Sequence, residues 1–122
     1  MIQRVNLRDA FASVTAPWTP KIAGELNGQY VKLAKFEGDY VWHAHAAEDE
    51  LFLVVEGHVD IHLRDRTIGL DAGEFVIVPR GVEHKPSARG VASVVLFEPV
   101  TTRSTGDVDD ARTIEPEDLE RA

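Results

Sequence analysis

With 122 residues the chain is sized for one domain and leaves no room for a second core of comparable size. Its 21 acidic residues outnumber the 13 basic ones, and the net charge of −8 repels phosphate backbones and anionic lipid surfaces, which argues against nucleic-acid and membrane partners. The absence of cysteine removes disulfides and thiolate ligands together, so any metal site has to be built from nitrogen and oxygen donors.

In chain order, residues 1–28 read as an N-terminal arm: a short helix or strand, then an irregular stretch with two prolines and two glycines around Trp18. Gln3, Arg4, Asn6, Arg8 and Asp9 interrupt the apolar residues of the first fifteen, which leaves no greasy core for a secretory signal and makes the cytoplasm the expected location. Residues 29–99 carry the pattern of a barrel or sandwich. Clusters of β-branched and aromatic residues predict strands near Tyr30–Phe36, Tyr40–His45, Glu50–Val55, His58–Arg64, Thr67–Leu70, Phe75–Val78 and Val91–Phe97. The connections between them are short, which favours antiparallel pairing over crossovers. Leu51–Val55 is the longest clean apolar run, far below the roughly 20 residues that span a bilayer. Beyond Pro99, residues 100–122 form a polar, acidic C-terminal tail, expected on the surface, in which Pro116 and the acidic residues after it suit the start of a short helix.

The chemistry concentrates in two segments. His43 and His45 are two apart on an extended stretch, so both side chains point to one face, and the small alanines around them add little bulk. A bend after His45 brings a carboxylate toward the same point. Glu50 is best placed, because it opens the apolar strand Leu51–Val55, while its rivals Glu48 and Asp49 read as turn residues. Downstream, a strand ending at Val78 runs into Pro79-Arg80-Gly81, where proline and glycine suit a type I turn over Val78–Gly81. His84 then starts the returning strand, able to face the same interior as His43. A lone His-x-His is weak evidence of a metal site; with a carboxylate five residues on and a third histidine after a Pro-x-Gly turn, the set acquires weight. His58 and His62 lie on the polar side of an alternating strand with Asp60 and Arg64 and are read as surface residues. Phe52, Val54 and Trp42 are core or pocket candidates, and Lys32 and Tyr40 are expected to face solvent in preference to a ligand.

These segments resemble the two sequence motifs of the cupin superfamily. Gly38, His43, His45, Glu50 and Gly57 occupy the first, with four residues instead of five between Gly38 and His43, and Gly73, Pro79, Gly81 and His84 occupy the second, with Ala88 where asparagine is usual. The 15 residues between Gly57 and Gly73 match the short insert of small single-domain bacterial cupins, among which the chain looks closest to those labelled mannose-6-phosphate isomerase-like. The resemblance implies an all-β fold, a cupin jelly-roll β-barrel with short irregular or helical flanks. It also implies one divalent transition metal per chain (Fe, Mn, Ni, Co or Zn) held by His43, His45, Glu50 and His84, and a homodimer. The expected function is that of a metal-dependent enzyme, dioxygenase-like first and isomerase second, acting on a small polar metabolite. The alternative is a non-catalytic cupin that binds a sugar or effector around a structural metal.

Overall fold

A computed structural model describes residues 2–122. Helix α1 (Leu7–Phe11) precedes eight strands: β1 (Lys21–Leu26), β2 (Gln29–Asp39), β3 (Glu50–Glu56), β4 (His58–His62), β5 (Thr67–Asp71), β6 (Phe75–Val78), β7 (Lys85–Pro99) and β8 (Glu120–Arg121). A single 3-10 turn at Pro116–Asp118 lies where Pro116 predicts a short helix. No helix among the described residues is long and apolar enough to cross a membrane.

Strand β7 organises the sheet. One of its edges pairs antiparallel with β2 from Gln29↔Pro99 to Asp39↔Ser87. Its other edge is shared: β4 takes the first part, through Val59↔Ala88 and His62↔Lys85, and β3 takes the second, through Leu51↔Phe97 and Glu56↔Ser93. β5 extends β4 and β6 extends β3. Because two strands share one edge, the sheet divides into two leaves that fold over a common core, giving the jelly-roll form of the expected fold without closing into a ring. The β2–β7 ladder slips between Glu37 and Gly38, where Arg89 and Gly90 are extra. Gly38 and Gly90 sit there at φ +72° and +67°, values that glycine reaches without a Cβ clash, and the bulge bends the long strand between the leaves.

Alternation decides what fills the interior. Phe36 and Ala34 on β2, Phe52 and Val54 on β3, Val59 and Ile61 on β4, and Ala92, Val94 and Leu96 on β7 point inward and form the main core. The opposite faces of β2 and β7 present Leu33 and Val95, which Phe11 of α1 and Val14 of the segment after it cover.

Three elements differ from the sequence expectation. The 1–28 arm holds strand β1, joined to β2 through Asn27 and Gly28 at φ +50° and +76°; positive φ at both central residues makes a hairpin turn matched to strand twist. The stretch expected as a strand at Tyr40–His45 is irregular apart from one bridge, His43↔His84, because its hydrogen bonds are divided among Pro86, His84, Gly81 and Asp107 instead of running along a continuous neighbour. The tail expected on the surface packs against the barrel: Thr102 and Thr105 are buried, and its last strand, β8, pairs parallel with β1.

Candidate metal centre

The bridge between His43 and His84 is a reciprocal pair of backbone hydrogen bonds, His43 N to His84 O at 3.0 Å and His84 N to His43 O at 2.9 Å. It fastens the two motif segments side by side, with the imidazole centroids 4.3 Å apart. The turn before His84 spans Pro79–Val82, closed by a Val82 N to Pro79 O bond of 3.2 Å, one residue later than expected. Gly81 therefore takes the third position at φ +81°, the position at which a type II turn needs positive φ. Its amide donates to His45 O at 2.8 Å and ties the turn to the other motif.

The two bridged histidines are oriented alike. His43 Nδ1 lies 2.8 Å from Val41 O and His84 Nδ1 lies 2.9 Å from Val82 O, each a carbonyl two residues earlier in the chain. A carbonyl only accepts, so Nδ1 carries the proton in both rings and Nε2 keeps its lone pair free. Glu50, at the start of β3, places Oε1 3.3 Å from His45 Nε2 and 3.4 Å from His84 Nε2. One donor atom from each of His43, His45, Glu50 and His84 lies within 4.8 Å of all the others, and all four residues are buried. His45 Nε2, Glu50 Oε1 and His84 Nε2 have no hydrogen-bond partner in the protein. Orphaned buried polar atoms cost about 1–3 kcal/mol each, and their convergence on one centre fits a divalent transition ion.

The protonation states fit it as well. Burial lowers the His43 pKa from 6.5 to about 4, with repulsion from His84 adding to the effect. Burial pushes the Glu50 carboxyl up, but the close approach of the His45 and His84 rings outweighs it and holds the group well below its ordinary value. A neutral imidazole and an ionised carboxylate are the forms that coordinate metals.

Beside the cluster lies a cavity of about 30 Å³ that reaches His43 and Glu50 and is walled by Trp18, Phe36, Tyr40 and Phe52. Trp18 stacks between Phe36 and Tyr40, at centroid distances of 4.3 and 4.5 Å, and its Nε1 donates to Glu37 O at 2.9 Å. The cavity also contains an ion pair that the sequence reading did not anticipate. Lys32 Nζ donates to Glu98 Oε1 at 2.8 Å, with both side chains no more than 3 % exposed. Glu98 Oε2 has no hydrogen-bond partner. Burial and the Glu50 charge raise the Glu98 pKa well above its ordinary value, and Lys32 only partly offsets them.

Lys32 and Tyr40, expected to face solvent, thus line the cavity. Glu98 was missed, although a signal exists: it continues the inward row Ala92, Val94, Leu96 of β7, as Lys32 does the row Ala34, Phe36 of β2. Phe52 lines the cavity as one of its expected roles, Val54 is plain core, and Trp42 lies under the Arg64 guanidinium at 3.8 Å. The rivals of Glu50 are engaged elsewhere. Glu48 accepts from Thr101 Oγ1 at 2.9 Å, and Asp49 accepts from Arg80 N at 2.9 Å. His58 is held between Asp60 and Asp71, and His62 between Thr67 and Ser87, all on the outer face of the sheet.

The cupin domain model matches residues 29–99, more than half of the chain. The chain belongs to the cupin family. A cupin-2 domain containing protein from Shewanella frigidimarina is 43 % identical to this cupin, with a TM-score of 0.77 over 78 % of this chain and 93 % of that one. A protein from Neisseria meningitidis is 32 % identical, with a TM-score of 0.73 over 80 % and 99 % of the two chains. The protein YdbB of Bacillus subtilis is 42 % identical over 62 residues; that match covers 50 % of this cupin and 55 % of YdbB's own length.

Two outcomes follow for the metal-free protein. Replacing Lys32 by Met strands Glu98 without its counter-charge and destabilises the fold by about 3–5 kcal/mol, whereas Lys32→Met combined with Glu98→Leu recovers most of that loss. Urea unfolding measures both, and a double variant no better than the single one contradicts the pairing. The second concerns acid. Unfolded His43 takes up its proton near 6.5 and folded His43 only near 4, so its contribution is complete above pH 6.5 and disappears as pH falls toward 4. Unfolding midpoints fall across that window, and His43→Gln flattens the decline between pH 6.5 and 5; equal slopes for the two proteins count against this assignment.

Proposed function

We propose that this cupin is a metal-dependent enzyme acting on a small polar metabolite, with oxygenase-type chemistry first and isomerase chemistry second. One observation carries the reading: the cavity reaches the donor cluster at His43 and Glu50, so a bound molecule can meet a metal held there. A purely structural ion would sit in a sealed cluster. His43, His45, Glu50 and His84 would hold the ion, whose chemistry is Lewis-acid polarisation of a coordinated substrate oxygen. The chain's own groups do the rest. The aromatic wall of Trp18, Phe36, Tyr40 and Phe52 excludes water and orients the apolar side of a ligand. Lys32 and Glu98 offer a cation and an unpartnered carboxylate oxygen to its polar side. Kinship with the mannose-6-phosphate isomerase-like cupins goes with the isomerase chemistry of this proposal.

Elemental analysis of protein purified without added metal or a nickel column tests the centre. We expect about one divalent ion per chain, and His43→Ala or His84→Ala lowers retention at least about tenfold. The ion is then removed and replaced in turn by Fe, Mn, Co, Ni and Zn, and each form is assayed on small enediols, diketones and sugar phosphates. Stoichiometric metal with no turnover by any form would transfer support to the second reading, a binding cupin whose metal anchors an effector.

A homodimer is part of the same proposal. Among the described strands β6 pairs only with β3, and its outward residues Phe75 and Ile77 are 60 % and 53 % exposed. A free edge beside an apolar surface favours pairing with a second copy. Light scattering at micromolar concentration should give twice the chain mass, and Phe75→Glu with Ile77→Lys should give the monomer; a monomeric wild type excludes the dimer.

A further inference from the structure

The C-terminal segment grips the ligand-bearing stretch at one residue. Ala44, between His43 and His45, belongs to no strand, so neither its N–H nor its C=O has a ladder partner. Asp107 supplies both: Ala44 N donates to Asp107 Oδ1 at 2.9 Å, and Asp107 N donates to Ala44 O at 3.0 Å. The approach is close because Gly106 precedes it. A Cβ on Gly106 would collide with the Ala44 carbonyl and lie 3.2 Å from His45 Nδ1, and the residue holds φ +56°.

The gripping loop is itself held. Arg103 Nη1 donates to Gly106 O at 3.1 Å and to Val108 O at 2.7 Å, and its Nε bonds the Glu115 carboxylate at 3.0 Å. Thr105, fully buried, donates to Val108 O at 2.7 Å and pairs with the Thr113 hydroxyl at 2.7 Å. The same segment reaches both ends of the irregular stretch, through Thr101 to Glu48 and through Arg112 Nη1 to Asp39 O at 2.9 Å. His43 is oriented through Val41 O and the His84 bridge, but neither ring nitrogen of His45 has a hydrogen-bond partner in the protein. The position of His45 therefore depends on the backbone around it, which Gly81 holds at the His45 carbonyl and Asp107 holds at Ala44.

We propose that Asp107 is a positioning residue of the metal centre, its amide and carboxylate clamping Ala44 so that His43 and His45 aim at one point. The proposal rests on the metal-binding reading. Groups that orient ligands typically contribute 10–100-fold to metal affinity.

The test uses the full chain, stripped of metal and titrated with Co(II) and Zn(II) against a chelating indicator, with the Co(II) absorption spectrum recorded at saturation. Asp107→Ala should weaken both metals about 10–100-fold and alter the Co(II) spectrum. Asp107→Asn keeps an Oδ1 acceptor for Ala44 N and should restore most of the affinity. Gly106→Ala, which forces the loop away from Ala44 without touching the carboxylate, should weaken binding as Asp107→Ala does. It carries the test alone if Asp107→Ala does not fold by circular dichroism. Wild-type affinity in both Asp107→Ala and Gly106→Ala overturns the clamp while leaving the metal reading intact, provided His84→Ala still loses metal. Asp107→Asn as weak as Asp107→Ala overturns it too, since charge and not the bond is then responsible. A wild-type chain that binds neither ion overturns the metal reading and the clamp with it.

Discussion

The reciprocal backbone hydrogen bonds between His43 and His84 are the constraint on which the centre depends. The two residues are far apart in sequence and lie on either side of four strands. Without the bridge, each histidine would sit on an irregular segment at the mouth of the fold, free to turn outward. With it, the carbonyl two residues before each ring can fix the same tautomer in both, and both Nε2 atoms are directed to the side where Glu50 begins β3. The bridge is short because the chain has little to spare there. β4 and β3 occupy one edge of β7 in succession, and the Pro79–Val82 turn has to deliver the chain from the end of β6 into the start of β7.

The interior around this centre is electrostatically unusual for so small a domain. Glu50, Glu98 and Lys32 are all buried, and three donor atoms of the cluster have no partner in the protein. Each buried, uncompensated polar group works against folding. What offsets them is the apolar core below, where Phe36, Phe52, Val54, Ile61 and Val94 fill the space between the two leaves. Polar groups therefore gather at one end of the molecule and packing at the other. The boundary runs along rows of alternating residues: Leu96 to Glu98 on β7, Phe36 and Ala34 to Lys32 on β2, Phe52 to Glu50 on β3. The end that is both buried and polar places the Lys32–Glu98 ion pair in the cavity beside the donor cluster.

Much of this was legible in local patterns, and the errors have local causes. The strands Glu50–Glu56, Thr67–Asp71 and Phe75–Val78 are close to those read from alternation and turn residues, since short runs bounded by Gly, Asp and Pro leave few choices. The hairpin at Asn27-Gly28 is not among the expected turns although the dipeptide is a strong turn signal; the register shift between Ile22 and Gly24 breaks the alternation that would mark β1 as a strand. Lys32 and Glu98 were misplaced or overlooked because alternation tells which residues share a face but not whether a charged residue ending a row lies inside the rim or beyond it. The tail looked like surface because its acidic residues are exposed, while its buried members, Thr102 and Thr105, are small and carry no pattern.

Sequence alone determined the family, the strand-rich character, and the four residues that meet at the centre, because spacing and residue type survive without any knowledge of how distant segments approach one another. Tertiary structure decided what surrounds them: that Lys32 and Glu98 pair inside the cavity, that Tyr40 and Trp18 form its wall, and that Asp107 closes on Ala44. These contacts join residues up to 66 positions apart and depend on which edge of β7 each leaf occupies and on where the tail returns. Such facts follow from chain closure in three dimensions, and no local pattern of side chains encodes them.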